Sequence, residues 1–153
     1  MKPLATVALV VIFGISLVAF AEDDDEDGKG EHHHSSSNRV PSGTLPSAST
    51  KTGVTYAADI KPILDSSCVD CHSGSKAKAH LHLDTLTGVL KVSKEKKLIK
   101  PGDSANSFLV KSVAHLTRDR ENWMPPLHNK EGIKPLLPEE IGLIRAWINQ
   151  GAK

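Results

Sequence analysis

Large aromatic side chains are scarce in this chain of 153 residues, which contains one Tyr, two Trp and three Phe. That is thin material for a core over residues 55–153, so something other than side chains is expected to fill the middle. Cysteine is scarcer still, with two residues, Cys68 and Cys71. The pair can form at most one disulfide, and a bond closed over two intervening residues constrains the unfolded chain little. A thioredoxin-like redox pair wants a βαβ setting, and no stretch from residue 55 onward reads as a strand. Zinc would need two further ligands; His80, His82, His115 and His128 could supply them but form no tight second pair. Internal repeats are also missing. The basic residues lack aromatic interleaving, which argues against nucleic-acid binding.

The formal net charge of +1 conceals an uneven distribution. Residues 55–153 hold 15 basic and 11 acidic side chains, whereas residues 22–54 hold 3 basic and 7 acidic. Before them, residues 1–21 begin with Lys2, continue through an apolar run and end in Ala-Phe-Ala. This is the layout of a secretory signal peptide, with cleavage expected after Ala21. The competing reading is an uncleaved anchor, because the run sits at the lower limit for crossing a bilayer. No cysteine follows the run, so a lipoprotein anchor has no attachment point. Either reading places the remainder in the periplasm or otherwise outside the cytoplasm. Residues 22–54 are acidic, then His-rich, then rich in Ser, Thr, Pro and Gly, and read as a disordered linker. The triplet His32–His34 inside it reads as part of a solvated tether.

From residue 55 the pattern is helical. Tyr56, Ile60, Ile63 and Leu64 recur at helical spacing, with Pro62 expected to limit or kink the segment. The stretch LDTLTGVLK reads as a short helical turn or loop started by Asp84. A helix is expected after the Pro101–Gly102 turn, capped by Asp103 or Ser104, with Phe108, Leu109, Val113 and Leu116 on its apolar stripe. The clearest helix begins at Pro138, carries Glu139 and Glu140 in its first turn, buries Ile141, Ile144, Trp147 and Ile148, and stops at Gly151. Trp147 is expected to pack this helix against the first one near Tyr56.

The stretch SSCVDCHSG then supplies the missing core. A Cys-x-x-Cys pair followed at once by His reads as covalent c-type haem attachment. Cys68 and Cys71 would form thioethers to the macrocycle, and His72 would be its proximal iron ligand. Apart from the initiator, Met124 is the one methionine. It sits in NWMPP, where two prolines stiffen an extended segment. Its thioether is a soft ligand suited to the second axial position, where it raises the reduction potential. His115 and His128 are the reserve ligands, while His80 and His82 lie too near the proximal side. Trp123 is expected to pack on the haem edge.

With those residues in place, residues 56–152 resemble the planctomycete-type cytochrome c domains, a branch related to class I cytochromes c. The matching stretches are DIKPILDSSCVDCH, LHLDT, KPGDSANSFLVKSV, WMPP and LPEEIGLIRAWINQGA. The resemblance implies an all-α, class I-like fold with long loops, wrapped around one haem c whose iron is held by His72 and Met124, with the first and last helices crossing. The sequence departs from class I cytochromes by lacking a proline soon after His72, where a carbonyl commonly orients the proximal ring. With both axial positions filled, the expected role is one-electron transfer between redox partners rather than catalysis. Lys91, Lys94, Lys96, Lys97 and Lys100 form a basic stretch that could steer docking to an acidic redox partner. The alternative is a haem-based gas sensor or peroxidase in which Met124 dissociates or never binds; Arg118 and Arg120 lie near Met124 in the sequence for such a role.

Overall fold

Thr55 and Pro62 bracket the first helical segment in the computed structural model. It describes residues 43–153 except Lys76 and Lys97, and the main chain alone at residues 92 and 94–96. The expectations for residues 1–21, for the triplet His32–His34 and for most of the linker lie outside the described residues. Thr55 Oγ1 accepts from Ala58 N (3.3 Å), capping a π-helical turn over Tyr56–Ile60. The winding then tightens into helix α1, Lys61–Ser67. Pro62 falls in its first turn, where the missing N–H leaves no helical bond unmade. Pro62 thus acts at a change of winding. Ile60, Ile63 and Leu64 face the core.

Helix α2 spans Leu86–Lys96 and is longer than the short turn expected there. Its start is capped by Thr85 rather than Asp84: Thr85 Oγ1 accepts from Gly88 N at 3.1 Å. The helical period continues from Val89 to Ser93, a buried polar residue whose hydroxyl donates back to Val89 O (2.6 Å). A search for apolar side chains alone stops short of that turn.

The single helix expected after Asp103 is divided in two. Asp103 Oδ1 accepts from Asn106 N (3.2 Å) and caps a 3-10 turn over Ser104–Asn106. Helix α3, Phe108–Val113, follows. The break is Ser107, fully buried, whose Oγ donates to Asp103 O (2.9 Å) and accepts from Lys100 N (2.9 Å). Local side-chain bonds of this kind compete with helix continuation.

Helix α4, Pro138–Asn149, starts and stops as its sequence implies. Glu140 Oε2 accepts from Leu137 N (2.7 Å), and Pro138 takes the first helical position. At the far end, Gly151 adopts φ +98°, a region costly for residues with a Cβ. Gly151 N then bonds Ile148 O (3.0 Å) and Ala152 N bonds Trp147 O (3.0 Å), the paired bonds of a Schellman stop. Trp147, fully buried, meets Tyr56 with ring centroids 6.0 Å apart and planes at 47°. Ile60, Leu64, Val110, Ile144 and Ile148 complete the densest part of the core. Among the described residues the secondary structure is helical, with no strand.

Residues 45–54 fall on the linker side of the boundary expected at residue 55, yet they pack on α4. Arg145 Nη1 donates to Pro46 O, and Ser49 N donates to Gly142 O (2.9 Å). Gln150 binds the next stretch twice, donating to Lys51 O (2.9 Å) and accepting from Val54 N (3.0 Å). Gly142 permits the approach, since a Cβ there would lie 2.8 Å from Ser47 O. The anchorage combines these polar bonds to α4 and Gln150 with the buried side chains of Pro46 and Val54 and the half-buried Leu45, a few apolar residues in a stretch otherwise rich in Ser, Thr and Gly.

Candidate haem site

The end of α1 fixes the Cys-x-x-Cys-His turn. Cys68 N continues the helix to Leu64 O (2.8 Å), and His72 N reaches Cys68 O (2.9 Å), so both cysteines and the histidine sit on one helical turn. The chain then folds back on the turn: Lys78 N donates to Cys71 O (2.9 Å), and Leu83 N donates to His72 O (2.9 Å). Tyr56 Oη adds a long bond to Leu83 O (3.4 Å). Both cysteines are free thiols. Cys68 is buried, and desolvation, followed by the proximity of Cys71, pushes its pKa up to about 12. It is therefore held as the neutral thiol. Cys71 is partly exposed and lies 3.3 Å from Lys78 Nζ.

The proximal proline that the sequence lacks is replaced by a main-chain group of Lys78. His72 Nδ1 lies 3.1 Å from Lys78 O. A carbonyl only accepts, so this bond puts the ring proton on Nδ1 and leaves the Nε2 lone pair for a metal. Burial lowers the His72 pKa, favouring the neutral ring that a metal needs, while the bond to Lys78 opposes the shift.

These residues form one wall of a cavity of about 310 Å³. Met124, Pro125 and Pro126 line it too, as do Leu81, Leu83, Leu98, Leu109 and Val113. Its size falls at the lower end of the roughly 300–1,000 Å³ of small-molecule and cofactor sites. Thus the structure brings Cys68, Cys71, His72 and Met124 to a single apolar chamber. Met124 is positioned by its neighbours. Its N–H donates to Ser112 O (3.1 Å), and Pro125 O lies 3.2 Å from His115 Nε2. Beyond the prolines, Asn129 closes the loop: Nδ2 donates to Pro126 O (2.8 Å) and Ile133 O (2.7 Å), and Oδ1 accepts from Ile133 N (2.8 Å).

Trp123 departs from expectation. It does not line this chamber; its ring stacks on His115 (5.0 Å, planes at 4°), under Arg120 (5.1 Å), and faces a second cavity with His115 and Leu136. Because Trp123 precedes Met124 in an extended stretch, the two side chains leave the backbone on different sides. His115 is likewise absent from the chamber lining and braces the loop from behind. His80, His82 and His128 are exposed and outside it. Arg118 and Arg120, the arginines considered for a sensor or peroxidase, do not line it. Among the described residues no three His, Cys, Asp or Glu side chains converge on a metal position, so the zinc reading lacks its further ligands there.

The chamber fits the haem that the motif implies. Two thiols, a metal-ready imidazole and a thioether from two stretches of chain line one chamber, and most of its remaining surface is apolar. Residues 68–128 match the protein family described as Planctomycete cytochrome C. The chain carries a planctomycete-type cytochrome c domain. The matched stretch begins at the first motif cysteine and ends four residues past Met124, so it takes in both sides of the chamber. No curated protein and no solved structure matches the chain. As a cytochrome c domain it is a haem-binding electron-transfer unit, with haem c and its iron as the implied cofactor. No helix among the described residues is long and apolar enough to cross a membrane.

Proposed function

We propose that the protein is an exported mono-haem cytochrome that carries single electrons between redox partners, with His72 and Met124 as axial ligands. The observation that carries this reading is the single chamber lined by Cys68, Cys71 and His72 from one stretch of chain and by Met124 from another. Haem supplies a one-electron iron couple when bound. Cys68 and Cys71 would anchor it, Lys78 O orients His72, and Ser112 O with His115 positions the Met124 segment. The aliphatic lining excludes water, which favours the less charged, reduced centre. With two protein ligands the iron would keep no coordination site for a substrate, so the chemistry it would supply is one-electron transfer without substrate binding. Residues 1–21 supply the export signal in this reading, with membrane attachment only if it stays uncleaved. Lys91 and Lys100 are exposed and belong to the basic stretch that would meet an acidic partner.

The test is an absorption spectrum of the haem-loaded chain. The ferric protein should show the weak charge-transfer band of thioether-ligated iron, and Met124→Ala should abolish it while the haem stays covalently bound. Absence of the band, with ready binding of carbon monoxide to the reduced protein, would favour a gas sensor or peroxidase.

A further inference from the structure

Four serines are buried among the described residues: Ser93, Ser104, Ser107 and Ser112. Three have partners for their hydroxyls. Ser93 donates to Val89 O (2.6 Å), Ser107 donates to Asp103 O (2.9 Å), and Ser104 accepts from Arg145 Nε (3.2 Å). Ser112, only 4% exposed, has none. Its Oγ is the one such buried side-chain oxygen or nitrogen among the described residues. A buried hydroxyl without a partner is costly, and its presence calls for an explanation at the site it faces.

Ser112 lines the haem chamber on the side of Met124. Its own carbonyl accepts from Met124 N at 3.1 Å, so the hydroxyl and the thioether are carried by two residues already bonded through the main chain. The chamber lining includes the acceptors of Asn122, Asn129 and Glu131, but Ser112 Oγ bonds none of them. We propose that Ser112 is a positioning residue: its Oγ–H donates to the Met124 sulfur once that sulfur turns onto the iron, and so sets the reduction potential. The proposal rests on Met124 being the second axial ligand. Sulfur is a weak acceptor, but the bond needs only to outdo a hydroxyl that has no other partner. Donation to the sulfur withdraws electron density from the iron and favours the reduced state.

The experiment uses the full chain loaded with haem, as wild type, Ser112→Ala, Ser112→Thr, Met124→Ala and the Ser112→Ala/Met124→Ala double variant. Redox titration and the ferric thioether band are read for each. Ser112→Ala should keep the band yet lower the reduced-to-oxidised ratio at a fixed applied potential by a factor of up to about five, the ceiling set by one ordinary hydrogen bond made in the reduced state alone. Ser112→Thr, which restores a hydroxyl, should return the ratio toward wild type. In the Met124→Ala background, adding Ser112→Ala should have no further effect on the ratio.

An unchanged ratio in Ser112→Ala, with the band intact, overturns the role of Ser112 and leaves the ligation reading standing. A shift that persists in the double variant also overturns it, because the hydroxyl would then serve another acceptor, such as a haem carboxylate. A wild-type spectrum without the thioether band overturns both readings together. Folding is not the obstacle, because alanine removes only an oxygen that no protein group binds.

Discussion

The two walls of the haem chamber are built by different means. The cysteine–histidine wall is held almost entirely by main-chain bonds within residues 64–83. Cys68 N to Leu64 O, His72 N to Cys68 O, Lys78 N to Cys71 O, Leu83 N to His72 O and His72 Nδ1 to Lys78 O close it in short loops. The methionine wall depends on side chains. His115 reaches Pro125, Asn129 ties Pro126 to Ile133, and Trp123 stacks on His115. Main-chain bonds survive most substitutions, whereas a side-chain strut disappears with its residue. The histidine side should therefore tolerate mutation, and the methionine side should be where ligation is lost first.

The largest change should come from the support common to both walls. Trp147 is fully buried and meets Tyr56, whose hydroxyl in turn reaches Leu83 beside His72. Trp147→Ala should cost about 3–5 kcal/mol through the cavity it leaves. Urea unfolding of the haem-loaded protein measures the loss, and a cost below about 1 kcal/mol would mean that α4 does not carry the site.

Next come the struts of the methionine wall. His115→Ala removes a ring stack and a bond to Pro125 O, together about 1–2 kcal/mol. Asn129→Ala removes three bonds around the 126–133 loop, about 1–3 kcal/mol. In both variants haem should remain covalently attached while the ferric thioether band weakens. A full-strength band in both would show that Met124 is held by Ser112 O and the prolines alone, and the contrast between the walls would disappear.

The same contrast decides what could be read from the sequence. Cys68, Cys71 and His72 stand out in the sequence as a local motif of fixed residue types and spacing, and the structure brings them to one cavity with Met124. Met124 stood out because no other methionine competes with it beyond the initiator. The ends of α4 were legible too, since Pro138, Glu140 and Gly151 act locally. The group that orients His72 was not, because a carbonyl belongs to every residue and leaves no mark on the identity of Lys78. Nor was the strut role of His115, which depends on a positive φ of 55° and a partner ten residues away. Residues 45–54 looked like linker because their polar anchors, Arg145 and Gln150, lie almost a hundred residues onward, and their apolar contacts are only Leu45, Pro46 and Val54 amid small polar residues. Ser112 was hidden for a related reason. A serine on a helix reads as solvent-facing until the structure shows it buried against a cavity.

The smallest effect is expected where the number of bonds would suggest a large one. Lys78 is the residue with the most bonds to the haem motif: its N–H binds Cys71 O, its carbonyl binds His72 Nδ1 and its ammonium lies 3.3 Å from Cys71 Sγ. Two of those three belong to the main chain, and the side chain is exposed. Lys78→Ala keeps both main-chain bonds and removes only the exposed ammonium, so the urea midpoint should barely move. In the reduced Met124→Ala background, where the sixth iron position is open, the histidine–iron vibration in resonance Raman spectra reports the bond at Nδ1 and should be the same with and without Lys78→Ala. A shifted vibration would mean that the side chain, not the backbone, holds the Lys78 carbonyl in place, and the histidine wall would then be as dependent on side chains as the wall opposite.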